Sequence, residues 1–224
     1  MAQTGVARQE GSAVAEAHAA RLDAAGALAH AHAVDLAGLL APYRARDVDD
    51  FVHLLCALYG RQPSFIDLAL VAAPSGPARL WLERAANAFE RERLYLVRLT
   101  AASGPIPSTP GAAETEAALL AQRHALETLA RSERQGCALG AATALVADWQ
   151  GLRPLLDKAA TRFGIEVPAC ALPDAVSVAD VLGAVAASSP SAERAIRFGA
   201  EQLLLQHRAL FDLLEARSEA REDY

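Results

Sequence analysis

The chain has 224 residues, of which 53% are hydrophobic and only 5% aromatic. Its apolar content is mainly 53 Ala and 32 Leu, which lose little side-chain freedom in a helix, while the β-branched and aromatic residues that suit strands are scarce; this argues against an all-β fold. The formal charge is −6, and the most basic stretch, 61–110, carries six Arg against four acidic residues, so neither nucleic acid nor an anionic membrane surface finds a concentrated positive face.

Breakers divide the chain into helical stretches. The first is expected over Ser12–Ala41, stopping at Pro42. A second starts after Asp47, whose carboxylate can cap free backbone N–H groups, and ends at Gly60; a short third begins after Ser64 and ends before Pro74. The fourth, Pro77–Ala102, opens with proline in its first turn and is halted by SGPIPSTPG, residues 103–111. A long fifth helix is expected over Ala112–Gln150 with a bend near Gly136 or Gly140, then a short sixth over Pro154–Phe163 with Gly164 as its stop. After the loop IEVPACALPD come Ser177–Ala187 and a last helix from Pro190 to about Arg221. The fold class expected is all-α: an antiparallel up-down bundle of three or four long helices with additional short ones. One domain is expected over 1–224, with 1–75 packing on a bundle core of 76–221.

Helix phase at 100° per residue selects the inward faces. The fourth helix gathers Trp81, Leu82, Ala85, Ala88, Phe89, Leu96 and Leu99 in one arc, with Glu92 in its middle. The fifth aligns Leu119, Leu126, Leu129, Ala130 and Cys137 with Gly136, Gly140 and Ala144, and its arc also holds Gln122 and Glu133. Small residues at four-residue spacing let a partner helix approach closely, either within the core or in a homo-oligomer. The last helix lines up Ile196, Ala200, Leu203, Leu210, Phe211 and Leu214, with His207 at the centre of that face.

Glu92, Gln122, Glu133 and His207 are therefore expected to point inward from three helices. A buried carboxylate must be paired, protonated or metal-bound. The cluster reads as a satisfied polar network, as groups bonded to an Arg of a neighbouring helix, or as the lining of a ligand pocket. Long helices with inward Glu and His over about residues 77–217 also resemble the ferritin-like superfamily. That resemblance implies a di-metal carboxylate oxidoreductase, with Glu92, Glu133 and His207 as candidate ligands. The family's Glu-x-x-His motif is broken here: Gly136 stands three residues after Glu133, and Leu204 three before His207.

Other motifs are absent or opposed. GRQPS, residues 60–64, superficially resembles the turn of a helix-turn-helix, but Asp47, Asp49, Asp50 and Asp67 surround it with negative charge. His30 and His32 would be separated by about 200° on a helix, which opposes joint metal binding there. Cys56, Cys137 and Cys170 are far apart and lack C-x-x-C spacing, so reduced thiols are expected. No basic start followed by an apolar run opens the sequence, and the longest uncharged apolar run, Gly136–Ala147, is too short to cross a bilayer. The expectation is a cytoplasmic, non-enzymatic helical protein without a cofactor that acts by binding or association. The alternatives are a metal-dependent oxidoreductase with a degenerate site and a small-ligand-binding protein.

Overall fold

The computed structural model describes residues 2–38 and 45–222. Among these residues all regular structure is helical: α1 (Ala2–Ala25), a 3₁₀ turn (Ala27–Ala29), α2 (Ala31–Gly38), α3 (Ala45–Tyr59), α4 (Phe65–Ala72), α5 (Pro77–Ser103), α6 (Ala112–Ala130), α7 (Cys137–Phe163), α8 (Ala175–Ala186) and α9 (Pro190–Glu222). Local chemistry accounts for several boundaries. Ser64 and Asp67 form a reciprocal capping box at the start of α4, and the Asp174 carboxylate accepts the Ser177 N–H at the start of α8. Gly164, at φ 68°, supplies the left-handed stop of α7.

Three expectations are corrected. The first helix is two, because Gly26 and the 3₁₀ turn interrupt it; its expected stop at Pro42 lies outside the described residues. Asp47 lies inside the first turn of α3 rather than ahead of it. The fifth helix breaks completely at 131–136, where Gly136 takes φ 94°, and α7 then runs straight through Pro154, so the expected short sixth helix is the end of α7.

Contacts between helices give their directions. Gly140 lies against Ile196, and Asp148 against His207, so α7 and α9 run the same way. Glu92 meets Arg153 and Tyr95 meets Asp157, which makes α5 parallel to α7 as well. The opposed neighbours are shorter. Asp50 meets Arg217 while Tyr59 meets His207, and Thr115 meets Arg217 while Gln122 meets Gln206, so α3 and α6 run against α9. The long helices therefore do not pair antiparallel with one another as expected; they are side-by-side neighbours, and α6 returns the chain between α5 and α7.

The tightest seam is between α7 and α9. A Cβ added at Gly140 would lie 2.1 Å from the Ile196 carbonyl oxygen, and one at Gly199 would lie 2.0 Å from that of Cys137. The small-residue stripe of α7 is thus used inside the molecule, against backbone. One apolar cluster joins residues from all the helices, with Trp81, Trp149, Tyr95, Phe51, Phe89 and Phe211 among its largest members.

Candidate functional site

His207 is fully buried, and both of its ring nitrogens are engaged. Nδ1 lies 2.5 Å from Asp148 Oδ2 and Nε2 lies 2.6 Å from the Tyr59 hydroxyl. The Asp148 carboxylate also accepts the Ala27 N–H at 2.9 Å. An ionised carboxylate only accepts, so the imidazole donates from Nδ1 and accepts the Tyr59 proton at Nε2. Burial, reinforced by the Asp148 charge, pushes the Tyr59 phenol well above its ordinary range and keeps that proton in place. Hydroxyl, imidazole and carboxylate follow the order of a nucleophilic triad, but here a protonated phenol is locked among the rings of Phe89 and Trp149. The arrangement fixes the register of α3, α7, α9 and the 3₁₀ turn.

Glu92 anchors a second network that touches the first through Trp149. Its carboxylate accepts Trp149 Nε1–H at 3.0 Å and Arg153 Nη1 at 2.7 Å. Arg153 also donates to Asp157 at 2.8 Å and to the Pro168 carbonyl, and its guanidinium lies 4.6 Å from the centre of the Tyr95 ring. Burial lifts the Glu92 carboxyl above its ordinary range, against the Trp149 and Arg153 contacts that favour the charged form.

Gln122 is also buried and donates to the Gln206 carbonyl at 3.4 Å, leaving its own oxygen unpaired. Glu133 is exposed, which corrects its expected inward position. The break at 131–136 ends the phase that had carried the α6 arc through it. Glu92, Glu133 and His207 consequently do not converge: Glu92 is held by Arg153 and Trp149, His207 by Asp148 and Tyr59, and Glu133 lies in a surface turn.

The described residues whose ligand-type atoms do converge are His30, Asp212 and Glu215, within 4.8 Å of one another. His30 precedes α2, so the helical separation from His32 does not apply. The His32 N–H donates to His30 Nδ1 at 3.1 Å, which leaves the ring proton on Nε2, aimed at Asp212 Oδ1 at 2.9 Å. A metal at Nε2 would force that proton onto Nδ1, against the His32 N–H. The geometry is that of a hydrogen-bonded pair.

The largest buried ionic group was not anticipated from the sequence. Arg217 forks onto Asp50 at 2.8 and 2.9 Å and reaches the Pro107 carbonyl and Thr109 hydroxyl, both at 3.1 Å. Arg221 joins Asp50 to Asp47. A signal for it exists: Arg217 continues the apolar face through Leu210 and Leu214, and Asp47 and Asp50 continue that of Phe51 and Leu54, with opposite sign.

His18 is 3% exposed, and neither ring nitrogen has a hydrogen-bond partner. Burial, with the Arg21 charge, lowers its pKa from 6.5 to about 4, while the Thr143 backbone acts in the other direction. Between these values the unfolded chain binds the proton and the folded chain does not. The associated stability is complete above pH 6.5 and declines as the pH falls towards 4, by up to about 3 kcal/mol. His18→Leu is expected to flatten the acid side of the stability profile between pH 6.5 and 4. Urea midpoints at several pH values check this, and parallel profiles for the two proteins would refute it.

Several concavities open on the surface, among them one of about 530 Å³ between the start of α5 and α8. A cleft of about 580 Å³ opens where the α4–α5 turn, the 131–136 turn and the end of α8 meet, with Leu82, Leu139 and Val185 in its walls and Glu133, Arg134 and Gln135 also lining it. A smaller pocket of about 150 Å³ lies between residues 61–65 and α6.

A family model described as a family of unknown function, DUF6975, matches residues 22–222, and the chain belongs to that family. No curated protein and no solved structure matches it. Among the described residues no helix is long and apolar enough to cross a membrane.

Proposed function

We propose that this DUF6975 member is an all-helical binding protein that holds a small amphipathic molecule in the cleft between the α4–α5 turn, the α6–α7 turn and the end of α8. The observation that carries the reading is the cleft itself. Its volume of about 580 Å³ falls within the range of roughly 300–1,000 Å³ typical of small-molecule sites, and its composition is apolar walls with a few polar groups. Leu82, Leu139 and Val185 suit an apolar body, and Arg134, Gln135 and Ser188 suit a polar end. Association through the α7 stripe is disfavoured, because α9 already covers it. A metal function at Glu92 and His207 is disfavoured by the hydrogen bonds that already engage those groups.

Anilinonaphthalene sulfonate, an amphipathic fluorescent probe, tests the cleft. The folded protein is expected to bind it saturably at one site. Ala184→Trp, at an exposed position of the lining, is expected to weaken binding at least about tenfold, equivalent to about 1.4 kcal/mol, with little change in stability. Binding that does not saturate, or that Ala184→Trp leaves intact, overturns the proposal.

A further inference from the structure

We infer that the 150 Å³ pocket between the GRQPS loop and α6 is a binding site for a small oxyanion, separate from the amphipathic cleft. Its lining contains three guanidinium groups, Arg61, Arg123 and Arg131, and a single carboxylate, Glu127. This concentration of positive charge stands in a chain whose formal charge is −6.

The sequence places the groups. Arg123 and Glu127, four residues apart, share one face of α6, and Arg131 follows at the same spacing as the residue that caps the helix. Arg61 comes from the loop on the other side. Glu127 is already paired with Arg131 at 3.4 Å, which leaves the charges of Arg61 and Arg123 without a carboxylate among the described residues. Arg123 Nε is shielded from solvent and has no hydrogen-bond partner. Arg123 is half-buried, so its unpaired guanidinium charge is less fully solvated than one on an open surface and gains from an anion held beside it. The planar guanidinium fork matches both carboxylate and phosphate oxygens.

The remaining walls are already fixed. Arg93 holds the Gly60 carbonyl at 3.0 Å, the Gln62 amide is tied to Glu90, and the Ser64–Asp67 capping box sets the loop where α4 begins. The amino end of α4, at Ser64 and Phe65, forms one side of the pocket, and its dipole favours negative charge. Tyr59 contributes a further wall while its hydroxyl stays engaged by His207. The pocket suits an anion the size of inorganic phosphate or a small carboxylate.

Calorimetric titration of the full chain at low ionic strength, with inorganic phosphate in one series and malonate in another, tests the site and distinguishes the two sources of oxyanion. One saturable site is expected for at least one of them. Arg123→Gln is expected to weaken it at least about tenfold, and Arg61→Gln, at an exposed position, several-fold. Glu127→Gln is expected to tighten it, because it removes the one carboxylate in the lining. Arg208→Gln, an exposed charge on α9, should leave it unchanged, and so should Ala184→Trp in the cleft. The inference is overturned if neither anion saturates, if Arg208→Gln weakens binding as much as Arg61→Gln does, or if Glu127→Gln fails to strengthen it. Loss of probe binding at the cleft would leave this titration unaffected.

Discussion

Gly140→Ala and Gly199→Ala are each expected to destabilise the protein by about 3 kcal/mol, whereas Gly151→Ala in the same helix as Gly140 is expected to be neutral or stabilising. Alanine ordinarily improves a helix interior by about 1 kcal/mol over glycine, so intrinsic propensity predicts a gain at all three. Contact decides the sign. The new methyl at Gly140 would meet the Ile196 backbone at 2.1 Å, and the one at Gly199 would meet the Cys137 carbonyl oxygen at 2.0 Å. Backbone on both sides cannot yield unless α7 and α9 separate, which would loosen every contact along the seam, including that between Asp148 and His207. At Gly151 the nearest atom is the Leu28 Cδ1 methyl at 3.2 Å, the end of a flexible side chain. Thermal or urea unfolding of the three variants measures the difference. Equal stabilities would mean that the helices are not packed this closely.

Arg217→Met is expected to cost 3–5 kcal/mol, with Asp50→Leu comparable and the double variant losing less than the sum of the two. Asp50 is completely buried, and Arg217 is 3% exposed. Removing the guanidinium strips Asp50 of a two-pronged partner and takes one donor each from the Pro107 carbonyl and the Thr109 hydroxyl, which help to hold the 103–111 connector against α9. Arg221 still contacts Asp50, so a residual ion pair limits the loss. Replacing both members by apolar residues removes the uncompensated charge as well as the attraction. Chemical denaturation of the four proteins in the cycle gives the coupling directly, and strictly additive losses would show that the pair is not energetically linked.

Much of the fold was legible because its breakers act locally. Ser64, Pro77, the 103–111 connector, Gly164 and Pro190 each impose a backbone preference that tertiary contacts did not override. The break at 131–136 was harder to read. Arg131, Glu133 and Gln135 are good helix formers, and only the positive φ of Gly136 shows that the chain turns rather than bends. That one junction carried Glu133 to the wrong side. Pro154 misled in the opposite direction, because α7 tolerates the loss of one backbone hydrogen bond within a heavily buried stretch. Helix phase placed Glu92, Gln122 and His207 on inward arcs, and all three side chains are buried. What a single helix wheel could not supply was their partners. Tyr59, Asp148, Trp149 and Arg153 come from other helices, and their positions depend on how those helices cross. The Arg61–Arg123–Arg131 pocket was hidden for the same reason: Arg123 on α6 and Arg131 at its end look like an ordinary solvated face until the 60–64 loop brings Arg61 over them.

The Asp50–Arg217 pair joins positions 167 residues apart. During synthesis α3 leaves the ribosome long before α9, and a carboxylate destined for full burial has no counter-charge until residue 217 is made. Burying Asp50 without that partner would incur the desolvation penalty of an unpaired ion. The same pair that pins the finished core therefore ties the burial of α3 to the presence of α9.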